Sequence, residues 1–241
     1  MDNILIAADK IKNAKSIVVL SGAGVSTTGS GIPDFRGANG IYKGFPEDIL
    51  SVDSFFRNMD KFYEAFNYKF KKIYEARPNK CHDILGQWEK EGKLKGIITQ
   101  NIDGLHQKGG VSSVIEYHGS ALKFYELDGF ETVGNEIYYT DLLENGEINY
   151  KKNDKRYKPD VVLFGEGVKG HQEAAQMVAG ADLLIIMGTK YVVYPFNTLH
   201  RYYKKTDVIV MNNEAIMVDG YDTIDVIGEI TENINKINKL I

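Results

Sequence analysis

Residues 16–37 of this chain, SIVVLSGAGVSTTGSGIPDFRG, constrain its fold more than any other stretch. A run of β-branched and aliphatic residues, Ile17, Val18, Val19 and Leu20, leads into a glycine-rich turn at Gly22 and Gly24. Strand followed by glycines is how an open α/β sheet brings backbone N–H groups up to a dinucleotide pyrophosphate. A Cβ there would block the approach of a phosphate oxygen to the backbone, and tight turns often need positive φ. A simple dehydrogenase would enter its helix at this point. Here Gly29, Gly31 and Pro33 break any immediate helix, and Asp34, Phe35 and Arg36 set an acid, an aromatic ring and a cation side by side. The pattern predicts a loop that folds over a bound cofactor.

Further apolar runs bounded by polar turns recur at residues 96–99, 114–117, 161–164, 182–187 and 207–211. Helical patterns occupy 53–75, 81–91, 171–179 and 195–203, a helix-spaced tail covers 228–240, and Ile4, Leu5, Ala8 and Ile11 mark an opening amphipathic helix. This alternation predicts an α/β fold with a Rossmann-like, doubly wound, mostly parallel sheet. Two regions depart from it. Residues 45–78 are helical and aromatic, while 122–158 alternate polar and apolar residues around Asp128-Gly129 and Asn145-Gly146, both strong hairpin turns. The expected division is a large lobe of residues 1–44, 79–120 and 159–241, with a small lobe of 45–78 and 121–158 formed by two insertions. A cleft between lobes is a common ligand site.

At 241 residues, 43% hydrophobic and 26% charged, the chain has the composition of a soluble globular protein. A net charge of −4 gives no basis for nucleic-acid binding through bulk electrostatics. No apolar run approaches the roughly 20 residues of a membrane span. The N-terminus carries an acid at Asp2 and lacks a signal-peptide core, so the expected location is cytoplasmic. The single cysteine, Cys81, excludes an intramolecular disulfide and any multi-cysteine metal site.

Polar residues that follow predicted strands are the candidates for chemistry. Gln100, Asn101, Ile102 and Asp103 follow one strand, and in extended chain Asn101 and Asp103 share a side that reaches a ribose or a carboxamide. His118 follows another, placed as a general base near neutral pH. Gly188 and Thr189 offer a backbone N–H and a hydroxyl to ribose or phosphate, and Asn212 does likewise. Each has a plainer reading. Asn101 and Asp103 also fit a helix N-cap and first-turn acid, and a lone histidine such as His118 also fits a structural role. Cys81 and His82 read as packing residues at a helix start, and His106, His171 and His200 as surface or capping residues.

The motifs GAGVSTTGSGIPDFRG, TQNIDGLH, the YHG at residues 117–119, PDVVLFGE, and Gly188-Thr189 followed by a strand ending in Asn212 resemble those of sirtuins. These are the Sir2-type NAD-dependent protein-lysine deacylases, and the resemblance runs from about Ile4 to the C-terminal helix. It implies a Rossmann-type large domain, NAD as cofactor, and an acylated-lysine protein or peptide as partner. The products implied are free lysine, nicotinamide and 2′-O-acyl-ADP-ribose. By the same resemblance Gly22, Ala23 and Gly24 line the pyrophosphate, and Asp34, Phe35 and Arg36 sit in the cofactor loop, where Phe35 shields the reactive ribose carbon. Asp103, with the backbone near Ile102, holds the nicotinamide carboxamide, within the stretch that Gln100 opens. Asn101 orients the ribose and a water, and His118 is the general base. Gly188, Thr189, Asn212 and Glu214 hold the adenosine half, while Val162, Leu163, Phe164, Gly165 and Glu166 pair as a strand with the substrate backbone.

Departures from the family pattern carry expectations of their own. Most sirtuins hold a structural zinc with four cysteines in the small lobe; this chain has none there, which implies no zinc. Phe124, Tyr125, Phe130, Tyr138, Tyr139 and Tyr150 are expected to form an aromatic mini-core instead. Where relatives that prefer acidic acyl groups carry a Tyr-x-x-Arg pair, this chain has Phe66 and Lys69, which favours acetyl or longer aliphatic chains. Lys190 replaces the usual serine, and reads either as a contact to a cofactor phosphate or as a solvated lysine. The proline usual after Glu166 is absent, implying a looser substrate loop. Two other functions remain open: an ADP-ribosyltransferase or NAD hydrolase of the same fold, and a non-catalytic NAD or ADP-ribose sensor. The pattern leaves the oligomeric state and the preferred acyl chain open.

Overall fold

The computed structural model describes residues 2–32 and 45–241. After helix α1 (Asn3–Asn13), whose first turn is capped by the Asp2 carboxylate on the Ile4 N–H at 3.0 Å, the chain forms strand β1 (Ile17–Ser21). Helices α2 (Val52–Arg57), α3 (Met59–Glu75) and α4 (Lys80–Lys90) precede strand β2 (Leu94–Thr99). A short helix α5 (Leu105–Lys108) and strand β3 (Val114–Glu116) follow. An antiparallel excursion then runs through β4 (Gly119–Asp128), β5 (Glu131–Tyr138), α6 (Tyr139–Leu142), β6 (Leu143–Glu144), β7 (Glu147–Ile148), β8 (Lys151–Lys152) and β9 (Lys155–Val161). The chain returns through α7 (His171–Ala179), β10 (Leu183–Met187), β11 (Val208–Asn212), β12 (Thr223–Ile227) and α8 (Ile230–Asn238).

Six strands form one parallel sheet in the order β12-β11-β10-β1-β2-β3. The order reverses between β1 and β10, and in open α/β sheets ligands bind beyond the strand carboxyl ends at such a switch point. Parallel strands covered on both faces need apolar residues throughout, and Val18, Val19, Leu20, Ile185, Ile186 and Met187 are all fully buried. Successive residues point to opposite faces. Val19, Ile97 and Ile185 meet Ile11, Leu85, Trp88 and Ile234 of α1, α4 and α8. Leu20, Ile98 and Ile186 meet Ala174 and Val178 of α7 together with Phe196 and Leu199.

The second lobe has its own core. A four-stranded sheet, β5-β4-β9-β8, packs with α2 and α3 around Phe55, Phe62, Phe66, Phe70 and Phe124. Tyr63 stacks on Tyr150 with ring centroids 4.2 Å apart, and Tyr74 on Tyr139 at 4.6 Å. The two turn signals hold: Gly129 has φ +61°, and Asn145 and Gly146 have φ +52° and +81° between β6 and β7. The expected aromatic mini-core forms only in part. Phe124 and Tyr150 are buried and Tyr139 packs at the edge, but Phe130 is 79% exposed, Tyr138 is 52% exposed and Tyr125 is half-buried. Tyr125 adjoins Phe124 on β4, so the pleat turns it to the other face.

Four other expectations need correction. The 53–75 helix is two helices, because Asn58 (φ −156°) leaves the helical path and its side chain caps the second on the Lys61 N–H at 3.0 Å. Residues 161–164 are the end of antiparallel β9 followed by irregular chain, with a single parallel bridge from Phe164 to Ser51 in place of a strand of the parallel sheet. The 195–203 segment is a 3₁₀ helix over Phe196–Tyr202. Strand β12 went unread because its alternation, with Asp225 between Ile224 and Val226, marks a half-exposed edge rather than a buried run. Among the described residues no helix is long and apolar enough to cross a membrane.

Candidate active site

The glycine turn after β1 lies against the loop after β10. The Gly22 N–H donates to the Met187 carbonyl at 3.1 Å, and the Gly24 N–H to the Gly188 carbonyl at 2.8 Å. A Cβ on Gly24 would stand 2.7 Å from Gly188 Cα, and one on Gly22 would stand 2.7 Å from Thr189 Cβ. These glycines therefore allow two loops to touch, a requirement beyond the phosphate approach and turn geometry expected of them. Thr189 Oγ1 donates to Gln100 Oε1 at 3.2 Å, and Asn212 Nδ2 donates to the Thr189 carbonyl at 3.1 Å. So Gln100, Gly188, Thr189 and Asn212 come together with the turn at the switch point. Gln100 Nε2 is buried without a partner among the described residues, the kind of donor that a bound polar ligand satisfies.

Asn101 and Asp103, both buried, hang beneath the same turn. Asn101 Nδ2 donates to the Gly22 carbonyl at 3.2 Å and lies 3.4 Å from Ser26 Oγ. Ser26 Oγ donates to Asp103 Oδ2 at 2.8 Å, and the other carboxylate oxygen accepts the Leu105 N–H at 2.9 Å. Asp103 thus holds the N–H of Leu105, the first residue of α5, while Gly104 and not Asn101 stands at that helix's N-cap. Burial pushes its carboxyl above the usual range, while the Leu105 N–H and the Ser26 hydroxyl pull it back. Ile102 is buried and packs with the small-lobe core.

Sequence reasoning missed the polar layer below. His106 is buried, not a surface residue, with Nε2 2.9 Å from Ser21 Oγ; that hydroxyl also donates to Thr99 Oγ1 at 2.9 Å. Thr99 Oγ1 in turn accepts the Asn101 N–H at 3.0 Å. His82 Nε2 lies 3.5 Å from Ser26 Oγ, and its Nδ1 joins a capping box with Asn79. His200 is buried too, against Tyr191 OH at 3.1 Å. Adjacent small hydroxylated residues at strand carboxyl ends, Ser21 and Thr99, were the one available signal.

His118 lies between β3 and β4, directly before Gly119, with its ring near Tyr117 (5.7 Å) and Phe196 (6.4 Å). Burial lowers its pKa, and its hydrogen bond to the Gln100 carbonyl raises it in part. The imidazole is thereby held neutral with one nitrogen engaged and the other able to accept a proton. Its backbone is clamped: the Tyr117 N–H donates to the Thr99 carbonyl at 3.0 Å, and the His118 carbonyl accepts the Val162 N–H at 2.9 Å. Gly119 (φ +75°) pairs so closely with β9 that a Cβ would meet the Asp160 carbonyl oxygen at 1.7 Å.

Val162, Leu163, Phe164, Gly165 and Glu166 do not form the open strand expected of them. The Phe164 N–H is taken by the Leu50 carbonyl at 3.1 Å, and its carbonyl by the Val52 N–H at 3.1 Å. The Glu166 N–H closes a turn on the Leu163 carbonyl at 2.9 Å around Gly165 (φ +98°). Exposed Phe164 remains the one large apolar side chain this turn presents. Phe66 is a core ring between Phe62 and Phe70 rather than an exposed pocket wall. Lys69 is buried, 5.5 Å from the Phe45 ring, and burial lowers its pKa. Lys190 lies 3.7 Å from Glu214 in a solvent-exposed pair, joining the loops after β10 and β11. Asp34, Phe35 and Arg36 lie outside the described residues.

The family model described as the Sir2 family matches residues 22–195. The chain belongs to the Sir2 family. An NAD-dependent protein deacetylase of Clostridium acetobutylicum is 38% identical over 251 aligned residues, covering 95% of this chain and 100% of the relative. One from Sulfolobus acidocaldarius is 36% identical, over 89% of this chain and 85% of its own. An NAD-dependent protein deacylase of Archaeoglobus fulgidus is 37% identical, over 98% and 95%. A solved Sir2 enzyme superposes with a TM-score of 0.85 at 34% identity, covering 99% of this chain and 97% of that one. A Sir2 structure bound to a propionylated peptide gives 0.82 at 25% identity, over 99% and 98%. The Sir2 fold is thus shared over nearly all of this chain.

Proposed function

We propose that this chain is an NAD-dependent protein-lysine deacylase that releases nicotinamide and passes an acyl group from lysine to ADP-ribose. The observation that carries the reading is the placement of His118, its main chain held beside Thr99 and Val162, next to the strand ends where Gln100 and Asn101 meet the glycine turn and its neighbouring loop. The names of the curated relatives, deacetylase and deacylase, agree with it.

The residues present fit NAD: a glycine turn, a Gln100 Nε2 without a partner among the described residues, and amide and hydroxyl groups at the switch point. The chemistry NAD supplies is an electrophilic ribose carbon with nicotinamide as leaving group. Gly22, Ala23 and Gly24 bind the pyrophosphate, and Gly188, Thr189 and Asn212 the adenosine half, with Lys190 and Glu214 outside them. Asp103 and the backbone at Ile102 hold the carboxamide, and Asn101 orients the ribose. His118 would accept a ribose hydroxyl proton at the ring nitrogen that does not donate to the Gln100 carbonyl. Phe164 and the turn around it receive the acyl-lysine peptide. Structures of Sir2 proteins with acetylated and propionylated peptides support short aliphatic acyl groups as substrates. The small lobe folds without zinc, since a four-cysteine site needs more than Cys81, and the Tyr63–Tyr150 stack joins α3 to the chain between β7 and β8.

Mass spectrometry of the protein with NAD and acetyl-, butyryl-, myristoyl- and succinyl-lysine peptides tests this. Lysine release with 2′-O-acyl-ADP-ribose, lost in His118→Ala, is the expected result. Nicotinamide release without deacylation would replace it with ADP-ribosyl transfer or NAD hydrolysis.

A further inference from the structure

We propose that Lys158 is a positioning residue for the substrate turn: through Glu166 its buried ammonium pins residues 162–166, and with them the main chain beside His118. The inference rests on the deacylase reading above.

Lys158 lies on β9 and is only 9% exposed. A buried ammonium is costly unless it is paired and hydrogen-bonded. Its Nζ is 3.2 Å from Glu166 Oε2, 3.4 Å from the Val161 carbonyl and 3.5 Å from the Pro159 carbonyl. The Phe55 ring centroid is 6.0 Å away, so the cation also faces the aromatic core. Burial lowers the lysine's pKa and Glu166 opposes that shift.

The same Glu166 oxygen accepts the Leu163 N–H at 2.8 Å. One carboxylate oxygen therefore joins a buried cation to the main chain of the turn it closes. Neighbouring bonds extend the tie. Phe164 is bonded to Leu50 and Val52 on the helical side, and the Val162 N–H holds the His118 carbonyl. The turn is thus fixed from both lobes and shares its first bond with the proposed base. The missing proline after Glu166, which implied a looser loop, is offset by this pin. Lys158 touches neither the glycine turn nor Asn101 or Asp103 in any bond described, so its effect belongs to the peptide side.

Lys158→Met keeps the apolar stem against Phe55 and removes the charge. Lys158→Arg keeps a charged donor. Lys158→Met/Glu166→Gln also removes the carboxylate left buried without its cation, which separates positioning from simple destabilisation. Hydrogen exchange across residues 162–166 is read alongside KM for acetyl-lysine peptide and for NAD. A charge-assisted hydrogen bond of the usual strength predicts about tenfold faster exchange at Leu163 and about a tenfold rise in peptide KM for Lys158→Met. NAD KM stays within about twofold, and Lys158→Arg restores both signals. The double variant recovers thermal stability but not peptide KM. Unchanged exchange at Leu163, or equal rises in both KM values, would overturn the proposal. A wild-type protein that never releases lysine would overturn the deacylase reading instead, and exchange at Leu163 would then decide the pinning alone.

Discussion

The imidazoles of His82 and His106 lie with ring centroids 5.0 Å apart, both buried, beneath the turn that carries Gly22 and Gly24. Each faces a serine, His82 toward Ser26 and His106 toward Ser21. Burial lowers His82 to about 4 and His106 to about 3, with the neighbouring ring adding to the fall at His106. The layer that supports Asn101 and Asp103 is therefore built on two neutral histidines.

Acid should weaken this fold. In the unfolded chain both histidines take protons below about pH 6.5, whereas in the native state they stay neutral until about 4 and about 3. Between those limits the unfolded state binds more protons, so stability falls as pH drops below 6.5 and levels off only below the native values. Each histidine adds a slope of up to about 1.4 kcal/mol per pH unit. Urea unfolding at pH 7, 6 and 5 measures it, and His106→Gln should make the slope shallower. An unchanged slope would place the proton uptake elsewhere.

Ser26 should matter to NAD more than to folding. Its hydroxyl donates to Asp103 and adjoins Asn101. Ser26→Ala leaves Asp103 Oδ2 without that donor, costing about 1–3 kcal/mol at the site, or roughly five- to 150-fold in NAD KM. Initial rates at varied NAD, with acyl peptide saturating, read this directly.

Two glycines separate close approach from mere flexibility. Gly24→Ala drives a Cβ to 2.7 Å from Gly188 Cα, main chain against main chain, while Gly167→Ala meets nothing within 4 Å. The first should destabilise by about 1–3 kcal/mol and abolish NAD binding by calorimetry. The second should stay within about 0.5 kcal/mol of wild type.

Phe66 belongs to the core and not to an exposed pocket, so its removal should register as stability. Phe66→Ala is expected to cost about 3–5 kcal/mol in denaturant unfolding. Loss of acyl selectivity at unchanged stability would return it to the substrate pocket.

The pH–rate profile should report His118. Its pKa is lowered by burial, so the base is deprotonated at neutral pH and loses activity only below the usual histidine value of about 6.5. A flat rate through pH 7 with an acid limb below that value is expected for kcat with saturating substrates. An acid limb centred above 7 would point to another group.

The sequence by itself determined the pieces that short-range patterns encode. Ile17–Leu20 running into Gly22 marks a buried strand and a close turn, and Asn145-Gly146 marks a hairpin, because hydrophobic period and positive φ are properties of adjacent residues. The single cysteine excluded a four-cysteine site for the same local reason, and the motifs at residues 22–36 and 99–106 identified the family. Tertiary structure decided what depends on distant partners. The strand order brings Gly188 to Gly24, and the buried hydrogen bond between His106 and Ser21 spans 85 residues. The family resemblance implied a strand at residues 162–166, yet the carboxylate of Glu166 and the backbone at residues 50–52 close them into a turn. A histidine or lysine can be buried only where another part of the chain supplies its hydrogen bonds, and that supply is a three-dimensional fact.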